Sequence, residues 1–137
     1  MELGSGPEAA PSLFVPAQDA EDLNDRSIVV YARAGNEGVL LPGDLAVAGF
    51  EQLCAAGLPE PVTLLKLPHH GSRGSRPEHF LDRMQPRLAF VSAGLDNAYR
   101  LPDPASVAAC RERGIPLKRT DHQGTLTFIC DGNSWQA

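Results

Sequence analysis

Two short runs carry side chains with chemistry to offer. Gly43-Asp44 follows the apolar run VLLP, and His69-His70-Gly71-Ser72 follows VTLLKLP. Both stand where a buried strand gives way to a loop, the position at which layered α/β folds place their sites. An aspartate there, behind a glycine that lets backbone approach closely, projects a carboxylate into a pocket at the sheet edge. On local sequence alone the plainer reading of the same carboxylate is a helix cap, because a helical pattern follows Asp44. Adjacent histidines point in different directions, so one can ligate while the other stands behind it or carries protons; a pair of partly exposed loop histidines would do neither. Neutral imidazole together with carboxylate suits Zn or Mn in a hydrolytic site. Asp44, His69 and His70 are therefore the candidate catalytic and metal-ligating residues.

The double histidine is surrounded by hydroxyls and guanidiniums: Ser72, Arg73, Ser75 and Arg76. Such groups hold phosphate oxygens by charge-assisted bonds when they converge, and otherwise are solvated loop polarity. Lys66 interrupts the apolar run just before the histidines, as an edge residue or as a charge aimed at the pocket. Lys66, Ser72 and Arg73 are the candidate phosphate contacts. His79 falls in a helical pattern and His122 in a turn, both expected at the surface. The sequence holds no nucleophile elbow, phosphate-cradling glycine loop or dinucleotide fingerprint. Cys54, Cys110 and Cys130 have neither the spacing of a zinc site nor an even count for disulfides, and read as small buried hydrophobes.

Positioning these groups requires a particular order of elements. Residues 1–25 are rich in Pro, Gly, Ala and acids without a helical or strand period, and read as a poorly ordered lead-in. Residues 26–137 read as the folded part. SIVVYARA is a buried strand, Gly35 to Gly38 a turn, and GVLLPGD the antiparallel partner. Leu45 to Ala56 is a helix closed by Gly57, and VTLLKLP a short buried strand. HHGSRGSRP is a loop leading into a helix over Pro77 to Met84, stopped by Pro86. RLAFVSAG is a strand, GLDNAYRLPDP a loop, Pro104 to Arg113 a helix, and IPLKRT and GTLTFIC two strands around the turn DHQG. Strands alternating with helices predict an α/β layered fold with a mixed sheet. SIVVYA and VTLLKL are apolar on both sides, which suits a sheet buried on both faces.

With 137 residues, 42% of them hydrophobic, the chain has the composition of one ordinary globular domain or part of one. A net charge of −5 argues against a long phosphate-tracking groove, so any DNA contact must be local. No apolar run approaches the ~18–20 residues of a membrane-spanning helix, and the stretch is expected to be soluble.

The runs NDRSIVV, VLLPGD, LLKLPHHGSRGS, PRLAFVSAG, DNAY and RTDHQGTLTF together resemble, in order and spacing, the C-terminal metallo-β-lactamase-like domain of the ComEC/Rec2 family of DNA-uptake competence proteins, over roughly residues 24–131. That resemblance implies one half of an αββα sandwich. It implies that Asp44 is the carboxylate bridging two metals and that the His69-His70 pair contains a histidine ligand. The superfamily's HxHxDH motif, which supplies most ligands, would lie upstream of Asn24. The family loop after DNAY usually reads Gly-His-Pro, and here reads Arg100-Leu101-Pro102. The implied activity is metal-dependent, nuclease-like hydrolysis of a phosphodiester in DNA uptake, with this fragment inactive alone. A noncatalytic structural or partner-docking module, and a phosphorylcholine-ester or other phosphoester hydrolase, are the alternatives. The implied partners are DNA, the missing N-terminal half of the domain and a membrane channel domain of the same bacterial inner-membrane protein, with self-association through the uncovered sheet as a further expectation.

Overall fold

The computed structural model describes residues 11–15 and 21–137. Of the expected lead-in, residues 1–10 and 16–20 lie outside the described residues. Two other pieces of it join the fold. Ser12–Phe14 forms an edge strand, β1, antiparallel to β2 (Val29–Ala34), and Leu23–Arg26 is a single 3-10 turn that buries Asp25.

The expected hairpin forms between β2 and β3 (Glu37–Leu41), with Gly35 at φ +58° in the turn. Its turn is shorter than the sequence suggested, because Glu37 already belongs to β3 and is buried. From β3 onward each strand is followed by a helix and then by a parallel neighbour. The order is α1 (Val47–Ala56), β4 (Leu64–Lys66), α2 (Pro77–Met84), β5 (Leu88–Val91), α3 (Pro104–Glu112) and β6 (Leu117–Arg119). One six-stranded mixed sheet results, in the order β1-β2-β3-β4-β5-β6. Because the strands march in one direction, same-handed crossovers put all three helices on one face.

Register and burial identify that face. Val29, Leu40, Leu65, Ala89 and Val91 point into a core with Phe50 and Leu53 of α1, Phe80 and Leu81 of α2, and Ala109 and Cys110 of α3. Phe50 and Phe80 meet with ring centroids 4.0 Å apart. Burial of the Cys110 thiol among these groups pushes its pKa up to about 11, so it stays a protonated, inert hydrophobe. The opposite face carries Val30, Ala32, Val39, Leu41, Leu88 and Phe90, partly buried, with Leu64 fully buried between Val39 and Leu88, and α1, α2 and α3 all pack on the other face.

GTLTFIC does not complete the sheet. The chain leaves β6 through a four-residue helix, α4 (Thr120–Gln123), whose Gln123 side chain accepts a bond from the Arg119 N–H, and Gly124 at φ +73° redirects it. Only Ile129–Cys130 is extended, and it pairs as β7 with β8 (Trp135–Gln136) in a separate hairpin. This tail is held against the sheet: Phe128 stacks on Phe90 at 4.9 Å, the Asn36 N–H donates to Gly132 O, and the Trp135 indole N–H donates to Thr63 Oγ1.

Candidate metal centre

Asp44 and the double histidine come from adjacent parallel strands. Asp44 follows β3 and His69-His70 follow β4, so both lie at the carboxyl edge of the sheet. The two loops are tied directly, the His69 N–H donating to Gly43 O at 3.0 Å. Gly43 has φ +62°, and a Cβ there would stand 3.0 Å from Ser27 Cβ, so the tight approach needs glycine. The Asp44 N–H donates to Ser27 Oγ at 3.1 Å, fixing the backbone beneath the carboxylate.

Asp44 is not the cap of α1. The N-cap is Ala46, which has no side-chain cap, and its own N–H is taken by the buried Asp25, whose Oδ1 accepts from it at 2.8 Å. The Asp44 carboxylate is thereby left for other work. Its Oδ1 lies 3.8 Å from His70 Nε2, and each side chain is a little under half exposed. His70 Nδ1 lies 2.8 Å from the Ser92 carbonyl oxygen at the end of β5. A carbonyl can only accept, so Nδ1 carries a proton, and Nε2 is the ring nitrogen turned toward Asp44. His69 takes no part in this pair; it lines the adjoining depression.

The local backbone is unusual. His69 and His70 have φ +46° and +55°, two successive non-glycine residues in the left-handed region. Each costs on the order of 1–3 kcal/mol unless its surroundings impose it. Here the surroundings do so: Ser72 N–H donates to His69 O, and the buried Ser75 hydroxyl donates to Ser72 O at 2.7 Å and approaches Pro68 O at 3.3 Å.

Lys66 belongs to β4, an interior strand, so the edge-residue alternative falls away. It shares the helix-free face with Phe90. Burial pulls its pKa below the usual lysine value, and the nearby Asp44 carboxylate opposes that shift. The Ser72 hydroxyl oxygen accepts from the Gly74 N–H at 3.3 Å, and Arg73 is exposed and makes no ion pair among the described residues. Arg76 pairs with Glu78. His79 and His122 are exposed, as the sequence suggested.

The histidine loop opens into a depression of about 500 Å³ lined by His69, His70, Ser72, Arg73, Tyr99, Leu101 and Asp103. Leu101 stands where the resemblance places a histidine, so that wall is apolar. Tyr99 had no role in the sequence reading. Its only signal is an aromatic in an otherwise polar loop.

Asp44 and His70 fit a divalent ion as two donors. Their separation suits two ligands at ~2.0–2.2 Å from one metal, and an imidazole whose second nitrogen is fixed by a backbone carbonyl is the usual arrangement of a metal-bound histidine. No third His, Cys, Asp or Glu joins them among the described residues.

No protein-family model matches the chain. Individual proteins do. The chain is 32% identical over 112 residues to ComE operon protein 3 of Bacillus subtilis (strain 168), covering 82% of this chain and 14% of that protein. It is 39% identical over 108 residues to competence protein ComA of Neisseria gonorrhoeae, covering 78% of this chain and 16% of the relative. To recombination protein 2 of Haemophilus influenzae it is 37% identical over 79 residues, 58% of this chain and 10% of the relative. The chain thus spans only a small part of the length of each.

Proposed function

This chain belongs to the ComEC/Rec2 family of competence proteins as a homologue of one segment of them, and we propose that it contributes that segment's share of a metal-dependent phosphodiester hydrolase acting on DNA during uptake. The observation that carries the reading is the pair formed by Asp44 and His70, with Nε2 turned to the carboxylate by the Ser92 carbonyl. Asp44 and His70 would hold one corner of a Zn or Mn ion, the remaining ligands coming from outside the described residues. When bound, such an ion supplies Lewis acidity toward a phosphodiester oxygen and acidifies a water. The chain's own residues orient the substrate: Lys66 brings a cationic N–H group to the edge beside Asp44, and the exposed Arg73 guanidinium offers paired donors to a phosphate. His69, which lines the depression, would serve as the proton carrier.

Calorimetric titration with Zn or Mn tests this. The isolated chain is expected to bind one ion weakly, and Asp44→Ala and His70→Ala are each expected to weaken it by more than about tenfold, since even supporting groups around a metal cost 10–100-fold. His69→Ala should leave the affinity nearly intact. Tight binding of two ions would overturn the two-donor reading, and unchanged binding by Asp44→Ala would remove the metal altogether.

We further propose that residues 26–137 are one half of an αββα sandwich. The partly buried apolar face opposite the helices supports this, together with Leu13, which pairs beside Val30 and is 66% exposed. Apolar surface of that kind marks a contact. In the whole protein an N-terminal half would cover it. The isolated chain is expected to self-associate through it, with light scattering giving a mass that rises with concentration and Leu41→Glu restoring the monomer. A parent chain that stays monomeric at every concentration would count against the half-sandwich. It would favour the second reading, a noncatalytic module.

A further inference from the structure

Tyr99 is the most exposed large hydrophobic side chain of the described residues, 85% accessible, yet the loop that presents it is firmly built. The Asn97 side chain donates to Gly94 O and to Leu101 O and accepts from the Leu101 N–H, and the Arg100 N–H donates to Asn97 O. The loop is then fastened to the histidine loop. Asp103 N–H donates to Gly71 O at 3.0 Å, and Pro102 packs so close to Gly71 that a Cβ there would stand 2.7 Å from Pro102 Cβ. An exposed aromatic ring on a rigid support is a binding surface whose ordering cost has already been met. It lines the same depression as His69, His70 and Arg73.

We propose that Tyr99 and Arg73 form a nucleotide subsite for single-stranded nucleic acid, Tyr99 stacking on one base and Arg73 taking a neighbouring phosphate. The proposal rests on the phosphodiester reading of the Asp44–His70 edge and names its substrate class. A base offers a π-face to a tyrosine only when it is unstacked, which selects single strands over duplex. The net charge of −5 argues for a local contact with one or two phosphates rather than a long phosphate-tracking groove. A quaternary ammonium group, the other partner of an exposed aromatic, is held by a cage of several rings. Tyr99 is the one Phe, Tyr or Trp ring lining the depression among the described residues, so no such cage forms there.

The test is fluorescence anisotropy of the 137-residue chain in EDTA, with a short labelled oligothymidylate, the same oligomer made abasic, and a duplex. Tyr99→Ala is expected to weaken oligothymidylate binding on the order of tenfold, the scale of one stacked base, and to leave abasic binding unchanged. Tyr99→Phe should retain the parent affinity. Arg73→Ala should weaken both oligomers equally and flatten the salt dependence by about 0.7 of a logarithmic unit per unit, the share of one single-strand phosphate. Equal binding by Tyr99→Ala and parent overturns the proposal. So does an abasic oligomer bound as tightly as oligothymidylate, a duplex preferred over the single strand, displacement by choline, or no binding at all. Because EDTA removes any ion, failure here leaves metal affinity intact, whereas failure of the metal reading appears in calorimetry with oligonucleotide binding intact.

Discussion

Gly38→Ala is expected to give no cooperatively folded protein. Gly38 sits on β3 where the segment leading into β4 crosses it, and a Cβ there would stand 1.9 Å from Pro61 O, 2.6 Å from the Tyr31 hydroxyl and 2.8 Å from a carbon of the Tyr31 ring. Neither neighbour can retreat cheaply. Pro61 O accepts from the Tyr31 hydroxyl at 2.9 Å, and Gly38 itself is bonded on both sides, its carbonyl accepting from Thr63 N–H at 2.8 Å and its N–H donating to Thr63 Oγ1. Thr63 in turn donates to the buried Glu37 carboxylate, which also takes the Arg87 guanidinium. Moving the segment by the ångström or more that a methyl needs would break this network and leave a buried carboxylate short of partners. Losses above ~4–5 kcal/mol are the mark of such sites, against a total stability of about 5–15 kcal/mol for a domain. Circular dichroism and urea titration are the measurements. A cooperative transition within a few degrees of the parent would mean that the Pro61–Thr63 crossing is soft and the network weak. The functional link is direct, because β3 and β4 deliver Asp44 and His70 at their other ends.

The elements that bring Asp44 and the histidines together were legible because each announces itself locally. VLLP and VTLLKLP are apolar runs cut off by Pro and Gly, so their ends, and hence the placement of Asp44 and His69-His70, follow from pattern alone. Three facts that decide the site's chemistry have no local signal. Asp25 takes the N–H of Ala46, the residue that opens α1, from 21 residues upstream, and so it reads as one more acid in a polar stretch while Asp44 looks like the cap. The group that orients His70 is the Ser92 backbone carbonyl, and a carbonyl is present at every position. Glu37, read as part of a turn, is buried because Arg87, 50 residues away, and Thr63 meet it there. The tail failed for a related reason. GTLTFIC has the composition of a strand, but composition cannot tell that α4 and Gly124 turn the chain away from the open edge of β6 toward Phe90.

Phe80→Ala carries the second largest expected effect and reaches the site from beneath. The ring is fully buried and packs against Phe50, so α1 and α2 meet the sheet through it. Truncation removes the transfer energy of the ring and leaves a cavity that the surrounding Leu and Val side chains fill only in part, a cost of about 3–5 kcal/mol. For a chain of this size the melting temperature should fall by roughly 10 °C or more, with Phe80→Leu falling much less. Helix α2 begins at Pro77, immediately after the loop whose hydrogen bonds impose left-handed backbone on His69 and His70. Loosening α2 therefore weakens the restraint on those two residues. Hydrogen exchange of the Ser72 and Ser75 amides, both bonded within that loop, should accelerate in Phe80→Ala beyond the change at β2 and β3. A variant equally destabilised at Val29, on a strand away from α2, should speed exchange without that bias. If the two variants show the same pattern, the strained histidine loop is held by its own hydrogen bonds and does not depend on the packing of α2.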